Sequence, residues 1–320
     1  MKKAAVGVDI GGTSVKLGLV NAEGRVLARD GFLSGYAARR AALLGTLAER
    51  TKRLLALARR RGLEPVGVGI GAPGPVDVER GTVYFFPNIP GWKNTPLRKI
   101  LQARLGCRVF LDNDANAMAL GEYRFGAGRG TANLIALTLG AGIGGGIVLD
   151  GKLFHGPRYS AAEIGHLVIN EAGPACGCGS RGCVETYVGH RYFIREVKRR
   201  LRTSSGLLKS WVLKEKRELT PELVAQAARR GDRLSREMWR QTGAHLGTAL
   251  AGLVNILNPE RIIIGGGMAQ AGTLLLGPVR AVIRKKSFPI AARSVKVMPA
   301  QLGVDAGVIG AAALAFAGSK

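Results

Sequence analysis

The chain has 320 residues, in which 47 Lys and Arg stand against 22 Asp and Glu for a formal net charge of +25. That length exceeds the usual span of one hydrophobic core and predicts two lobes. No apolar run is long enough to cross a bilayer, and the first expected strand begins within a few residues of Met1, which leaves no room for a signal peptide and predicts a cytoplasmic protein.

That first strand runs into Asp9-Ile10-Gly11-Gly12-Thr13-Ser14-Val15-Lys16, after which Val15, Leu17 and Leu19 alternate with their neighbours at strand period. The glycines therefore join strand to strand. A helix follows, with Leu44, Leu47, Leu54, Leu55 and Ala58 as its buried stripe and Arg39, Arg40, Arg50, Lys52, Arg53, Arg59, Arg60 and Arg61 on or beside a solvated face. Cys107 precedes a short strand, Arg108-Val109-Phe110-Leu111, and reads as a small buried hydrophobe. The strand should end near Asp112 and a helix should begin near Asp114. A second glycine turn, Thr138-Leu139-Gly140-Ala141-Gly142-Ile143-Gly144-Gly145-Gly146, leads into alternation at Ile147 and Leu149 and again joins strands. Arg191 to Arg202 predicts a basic amphipathic helix, residues 203–217 an irregular basic connection without chemistry, and Pro221 the start of another helix. Arg261-Ile262-Ile263-Ile264 reads as a buried strand running into Gly265, Gly266 and Gly267, which open a helix. The final helix, from about Val304 to Ala317, is apolar enough to pack back onto the first lobe.

A P-loop or dinucleotide fingerprint needs a helix directly after its glycines, and neither of the two hairpin turns offers one. Either turn alone reads as a tight hairpin. Two copies about half a chain apart argue for an internal duplication with a nucleotide between the halves. Residues without a β-carbon let several backbone N–H groups approach one anion, Thr13 and Thr138 add hydroxyl donors, and Asp9 can hold a divalent ion through water. This is the logic of the α/β actin-like ATPase (ribonuclease H-like) fold, with a nucleotide cleft between two lobes. The lobes are expected at 1–117, completed by a C-terminal helix at 304–320, and at 118–303.

Cys176-Gly177-Cys178-Gly179-Ser180-Arg181-Gly182-Cys183 places three thiols on one short loop, ten residues after His166. A Cys₃His set is a common structural zinc site. A disulfide between two of the thiols is the alternative, which a cytoplasmic location disfavours. The run Asp112-Asn113-Asp114-Ala115-Asn116 gathers carboxylates and amides at a strand's C-terminal edge, the usual ligand position in an open α/β sheet. Asp114 alone would read as a helix N-cap. Asn113, Glu163 and Glu185 shift the reading toward recognition of a polyol. No basic stretch is interleaved with stacking aromatics, so the positive charge reads as solvated surface without a dedicated nucleic-acid site.

Together, Asp-Ile-Gly-Gly-Thr-x-x-Lys at residues 9–16, Gly71-Ala72-Pro73-Gly74-Pro75-Val76-Asp77, Pro87-Asn88-Ile89-Pro90-Gly91-Trp92, Asn113-Asp114-Ala115-Asn116, Glu163-Ile164-Gly165-His166 and the cysteine loop ending at Glu185 resemble the ROK family of sugar kinases and repressors over essentially the whole chain. The resemblance is greatest to the family's bacterial ATP-dependent hexose kinases. It implies transfer of the γ-phosphoryl group of ATP to the 6-hydroxyl of glucose, with Asp114 as catalytic base. Gly71, Asn88, Asn113, Glu163, His166 and Glu185 would line or bind the sugar, His166 using its second nitrogen on zinc with Cys176, Cys178 and Cys183. Asp9, Gly11, Gly12, Thr13, Lys16, Thr138, Gly140 and Gly142 would serve the phosphates and Mg²⁺, and Gly265, Gly266 and Gly267 the adenosine. A homodimer or homotetramer is the implied assembly. The segment 156–162 departs from the family pattern: it lacks the extra glycines, and Arg158 and Tyr159 are bulky. That leaves fructose, N-acetylmannosamine, N-acetylglucosamine or allose as alternative acceptors. The family's repressors carry an N-terminal helix-turn-helix module, and Asp9 stands too near Met1 for one, so the kinase is the expected reading.

Overall fold

The computed structural model describes residues 1–34, 40–86 and 91–319. The chain divides into two compact units, one built from Met1–Ala132, Gly146–Ala162 and Ala300–Lys320, the other from Asn133–Gly145 and Glu163–Pro299.

The first unit opens with β1 (Lys2–Ile10), β2 (Ser14–Asn21), β3 (Val26–Leu33), α1 (Arg40–Arg60), β4 (Leu63–Ala72), β5 (Val76–Asp77), β6 (Thr82–Phe85), β7 (Lys93–Thr95), α2 (Leu97–Leu105), β8 (Val109–Asn113) and α3 (Asp114–Phe125). Its main sheet has the order β3-β2-β1-β4-β8. β1 to β3 form an antiparallel meander, while β4 and β8 join in parallel. As expected from the sequence, α1 covers this sheet with Leu44, Leu47, Leu54, Leu55 and Ala58 buried. Each fully buried leucine contributes about 1.5–3 kcal/mol, which holds the helix down despite its arginines. Cys107 is half-buried against the same core.

The chain then runs through β9 (Leu134–Leu139), β10 (Ile143–Leu149) and β11 (Lys152–Leu153). The division between the units falls inside β10, so β11 belongs to the first unit. The second unit continues with α4 (Glu185–Val188), α5 (His190–Leu201), α6 (Leu207–Leu213), α7 (Pro221–Arg229), α8 (Arg233–Leu257), β12 (Arg261–Gly265), α9 (Thr273–Lys286), α10 (Pro289–Ser294) and β13 (Lys296–Pro299). β9, β12 and β13 lie parallel, with Thr138 beside Gly265. As expected, α5 is basic and amphipathic, burying Phe193, Val197 and Leu201. The last helix, α11 (Ala306–Gly318), returns to the first unit.

α11 is buried from Val308 to Ala315 and packs on β1, β4 and α3. A β-carbon at Gly7 would overlap the carbonyl oxygen of Val308, and one at Gly69 that of Ala311. Only glycine at these two strand positions allows such close approach. The fully buried Glu122 on α3 reinforces the junction: Oε1 accepts the N–H groups of Gln301 and Leu302, both at 2.9 Å, and Oε2 accepts that of Ala127 at 2.8 Å.

Three expectations change. The boundary placed after residue 117 falls inside α3, which stays whole within the first unit. The stretch 203–217 is not wholly irregular, since α6 buries Leu208 and Trp211. Its Leu208 N–H donates to Asp232 Oδ2, whose other oxygen caps α8 through Ser235. Gly265 to Gly267 open a short 3₁₀ turn, Gly267–Ala271, and the α-helix starts only at Thr273. No helix among the described residues is long and apolar enough to cross a membrane.

Candidate active site

In the first unit, strand register collects the candidate residues. Asp9 on β1 pairs with Gly71 on β4, and Gly71 with Asp112 on β8, so one row crosses the C-terminal ends of three parallel strands. Ligands in open α/β sheets bind at this edge. Burial pushes the Asp9 carboxyl above its ordinary range, and Lys16, its partner across β2, opposes the shift. The first turn of α11 lies against this carboxylate, since a β-carbon at Gly307 would strike it; a helix N-terminus favours negative charge there. The Gly11 N–H donates to the Ser14 carbonyl at 2.9 Å, closing the turn. Ser34, buried after β3, staples it from outside, its hydroxyl donating to Gly12 O and its N–H to Thr13 O. Thr13 and Lys16 are exposed.

The strand-to-helix corner at β8 and α3 places Asp114. Asn113, not Asp114, is the N-cap: its Oδ1 accepts the N–H groups of Ala115 at 2.8 Å and Asn116 at 3.2 Å, while its Nδ2 donates to Gly74 O. Asp114 sits in the first helical turn, its Oδ1 also accepting the Ala115 N–H at 2.8 Å, at the positive end of the helix dipole. Its Cα lies tightly above Gly71, where a β-carbon would come within 3.3 Å. Asn88 lies outside the described residues.

The second unit gathers a separate set. The hairpin from β9 to β10 is closed by Gly140 N–H donating to Gly142 O at 2.9 Å. The Glu185 carboxylate reaches it, Oε2 accepting the Ile143 N–H at 2.9 Å in contact with Gly142, where a β-carbon would not fit. Gly266, at φ +87°, presses on the backbone of Leu139. Thr138, Gly140, Gly142, Glu185 and Gly265 to Gly267 therefore share one strand edge. Beside Gly267 lies a cavity of about 210 Å³ lined by Glu222, Gln226, Arg229, Trp239 and Gln270, and the buried Trp239 indole N–H has no hydrogen-bond partner.

Glu163 is exposed and leads into the 3₁₀ turn Ile164–His166, which turns the histidine toward the cysteine loop. The ligand atoms of His166, Cys176, Cys178 and Cys183 all lie within 4.8 Å of one another. Cys176 Sγ stands 3.7 Å from His166 Nδ1, and Cys178 Sγ is 3.7 Å from Cys183 Sγ. A tetrahedral site with zinc–sulfur bonds of about 2.3 Å has edges of about 3.8 Å, so this spacing fits the ion. It excludes the disulfide alternative, which needs about 2.0 Å, and all four cysteines are free. The thiols also split electrostatically: the Ser180 backbone N–H draws the Cys178 thiol down, while burial pushes Cys183 up to about 12. Gly182, at φ +66°, packs so tightly on the Asn170 carbonyl that any β-carbon would collide.

Sequence reasoning missed Ser34, Glu122 and His155. His155 Nε2 lies 2.7 Å from Asp112 Oδ2, and this hydrogen bond raises the histidine's pKa against the opposing effect of burial.

The ROK family model matches residues 5–317. The chain belongs to the ROK family. This ROK protein is 40% identical over 319 residues to the glucokinase of Thermotoga maritima, with 98% of this chain and 97% of that one covered. The crystal structure of a ROK family glucokinase from Streptomyces griseus, in complex with glucose and AMPPNP, superposes with a TM-score of 0.80 at 36% identity, covering 98% of this chain and 99% of that one. The xylose repressor of Caldicellulosiruptor bescii is 34% identical over 310 residues, which cover 97% of this chain and 77% of the repressor. The α/β architecture, with its two five-stranded sheets and a small three-stranded one among the described residues, is thus the actin-like ATPase and sugar-kinase fold of the ROK proteins.

Proposed function

We propose that this ROK protein is an ATP-dependent hexose kinase that transfers the γ-phosphoryl group of ATP to the 6-hydroxyl of glucose. The observation that carries the reading is Asp114, set in the first turn of a helix that Asn113 caps, at the C-terminal end of β8, in a chain 40% identical to a glucokinase. The sugar oxygen attacks the γ-phosphorus, Asp114 accepts the hydroxyl proton, and the bond to the β-phosphate oxygen breaks to release ADP. Asn88, Asn113, Glu163, His166 and Glu185 are assigned to the remaining hydroxyls, and Gly71 to the floor beneath Asp114. Gly11, Gly12, Thr13, Lys16, Thr138, Gly140 and Gly142 are assigned to the phosphates, and Gly265, Gly266 and Gly267 to adenosine. Asp9 would hold Mg²⁺ through water; a buried carboxyl whose charged form is disfavoured suits a cation, and the bound ion supplies neutralisation of phosphate charge. Cys176, Cys178, Cys183 and His166 Nδ1 would hold zinc as a brace, leaving His166 Nε2 for the sugar.

A second reading, in which another hexose or an N-acetylhexosamine is the acceptor, draws on the loop before Glu163. There Tyr159 and Ala162 take φ values of 55° and 65°, a conformation suited to glycine. An ADP-release assay over glucose, mannose, glucosamine, N-acetylmannosamine, fructose and allose, run on the wild type and Asp114→Asn, tests both. Glucose should have the highest kcat/KM, because a site that pairs each hydroxyl leaves buried groups unsatisfied when one is inverted. Asp114→Asn should lose roughly 10²–10⁴ in kcat with sugar affinity within a small factor. A near-wild-type Asp114→Asn removes the base; a better sugar than glucose changes the substrate alone.

A further inference from the structure

We infer that His155 is a positioning residue of the phosphoryl-transfer site, holding through Asp112 the corner between β8 and α3 that carries Asp114. The inference rests on the role given to Asp114 above.

Asp112 is 3% exposed, so both of its carboxylate oxygens depend on protein donors. Oδ2 receives the His155 Nε2–H at 2.7 Å. Oδ1 receives the Asn116 Nδ2–H at 3.0 Å and the backbone N–H of Asn113 at 2.8 Å. One carboxylate therefore fixes the residues on either side of Asp114, and Asn113 in turn caps the helix that begins there. His155 also acts through its backbone: its carbonyl accepts the Ala161 N–H at 3.0 Å, and its ring meets the edge of Tyr159 with centroids 6.3 Å apart. It thereby ties the strained loop containing Tyr159 and Ala162, which continues directly into Glu163, to the Asp114 corner. Without the imidazole donor, a buried carboxylate oxygen is left unpaired and the group rotates to find a new partner. Asn113 and Asn116 then lose their fixed acceptor, and Asp114 moves with them. A misplacement of about 1 Å in a catalytic group can lower turnover by about 10²-fold.

Glutamine at this position extends an amide N–H₂ to where Nε2 lies, whereas asparagine is too short to reach Asp112. The test compares His155→Gln and His155→Asn, each alone and combined with Asp114→Asn, by steady-state kinetics, with thermal unfolding as a control. His155→Asn should lower kcat by about 10–100-fold with KM for ATP within twofold, and His155→Gln should recover most of that loss. In the Asp114→Asn background His155→Asn should change kcat by less than twofold, because the group it positions is already lost. The proposal is overturned if His155→Asn keeps kcat within twofold of wild type. It is equally overturned if both His155 variants lose kcat alike and in proportion to melting temperature, which marks a purely structural role. If Asp114→Asn is itself active, the base assignment fails first, and that outcome is separable because it appears without any change at His155.

Discussion

Replacing Glu122 tests whether one buried carboxylate locks the C-terminal segment to the first unit. Its three acceptor contacts, to Ala127, Gln301 and Leu302, are all charge-assisted bonds to backbone N–H groups. Glu122→Ala strips all three donors at once. The buried Ala127 donor left unpaired costs about 1–3 kcal/mol, and the Gln301 and Leu302 donors, which water can reach more easily, about 1 kcal/mol each, so a net loss of about 3–5 kcal/mol is expected. Glu122→Gln keeps an oxygen for Gln301 and Leu302 but turns an N–H₂ toward the Ala127 N–H, and a loss of about 2–3 kcal/mol follows from one charged hydrogen bond replaced by a donor clash. The stability order is wild type, then Gln, then Ala. Trp92, buried against Phe86 at 4.3 Å between ring centroids, lies in the same unit and gives a fluorescence signal for urea unfolding. Hydrogen exchange at Gln301 and Leu302 should speed up in the same order. An alanine variant within about 1 kcal/mol of wild type, a difference expected of ordinary surface substitutions and not of a buried clamp, would refute the reasoning.

Cys178→Ser should lower zinc content from one ion per chain and reduce the melting temperature by about 4–8 °C for each 2 kcal/mol of binding free energy lost; elemental analysis that finds no zinc in the wild type sinks the metal site. The pKa of His155 is raised in the folded state by Asp112, so the stabilisation from this pair is fully present below the unfolded value of about 6.5 and is lost as pH rises through the folded value. The urea midpoint of wild type minus that of His155→Gln should therefore shrink as pH rises above about 6.5, and a constant difference contradicts the assignment. Binding to duplex DNA should be weak, independent of sequence and steeply salt-dependent, and glucose should not alter it, as for contacts made to phosphates alone. A mobility-shift titration that shows nanomolar, glucose-responsive, sequence-selective binding would favour a repressor.

The elements legible in the sequence are those set by neighbouring residues. Alternation after Gly12 and Gly142 identifies strands on both sides of each turn, and the α1 leucines mark their own buried stripe. The Cys₃His loop was legible for the same reason, its ligands lying within one short segment. Which residue caps α3 is not legible, because Asn113 and Asp114 are equally good caps and only the backbone direction of β8 chooses Asn113. Ser34, Glu122 and His155 could not be found this way, since they act on groups 22, 179 and 43 residues distant. Glu122 did leave one trace: a carboxylate ending the apolar run Ala117-Met118-Ala119-Leu120-Gly121 signals a buried charge in need of donors. α6 was missed because its seven residues have too little periodicity to register, and tertiary anchoring by Asp232 decides their conformation.

The docking of α11 on β1, β4 and α3 bears on how the protein is made. A ribosome delivers Met1–Ala132 first, but the helix that covers Gly7 and Gly69 belongs to Ala300–Lys320. At about 5–20 residues per second, roughly 190 further residues must be synthesised, which takes about 10–40 s. During that interval the sheet face that α11 will cover stands open, with Ala5 and Val20 among its residues, while the second unit, spanning Glu163–Pro299, can already collapse. The nascent chain thus presents an apolar surface at a defined stage of translation, and a holdase acting on this protein should engage it there and let go once the last helix has left the exit tunnel.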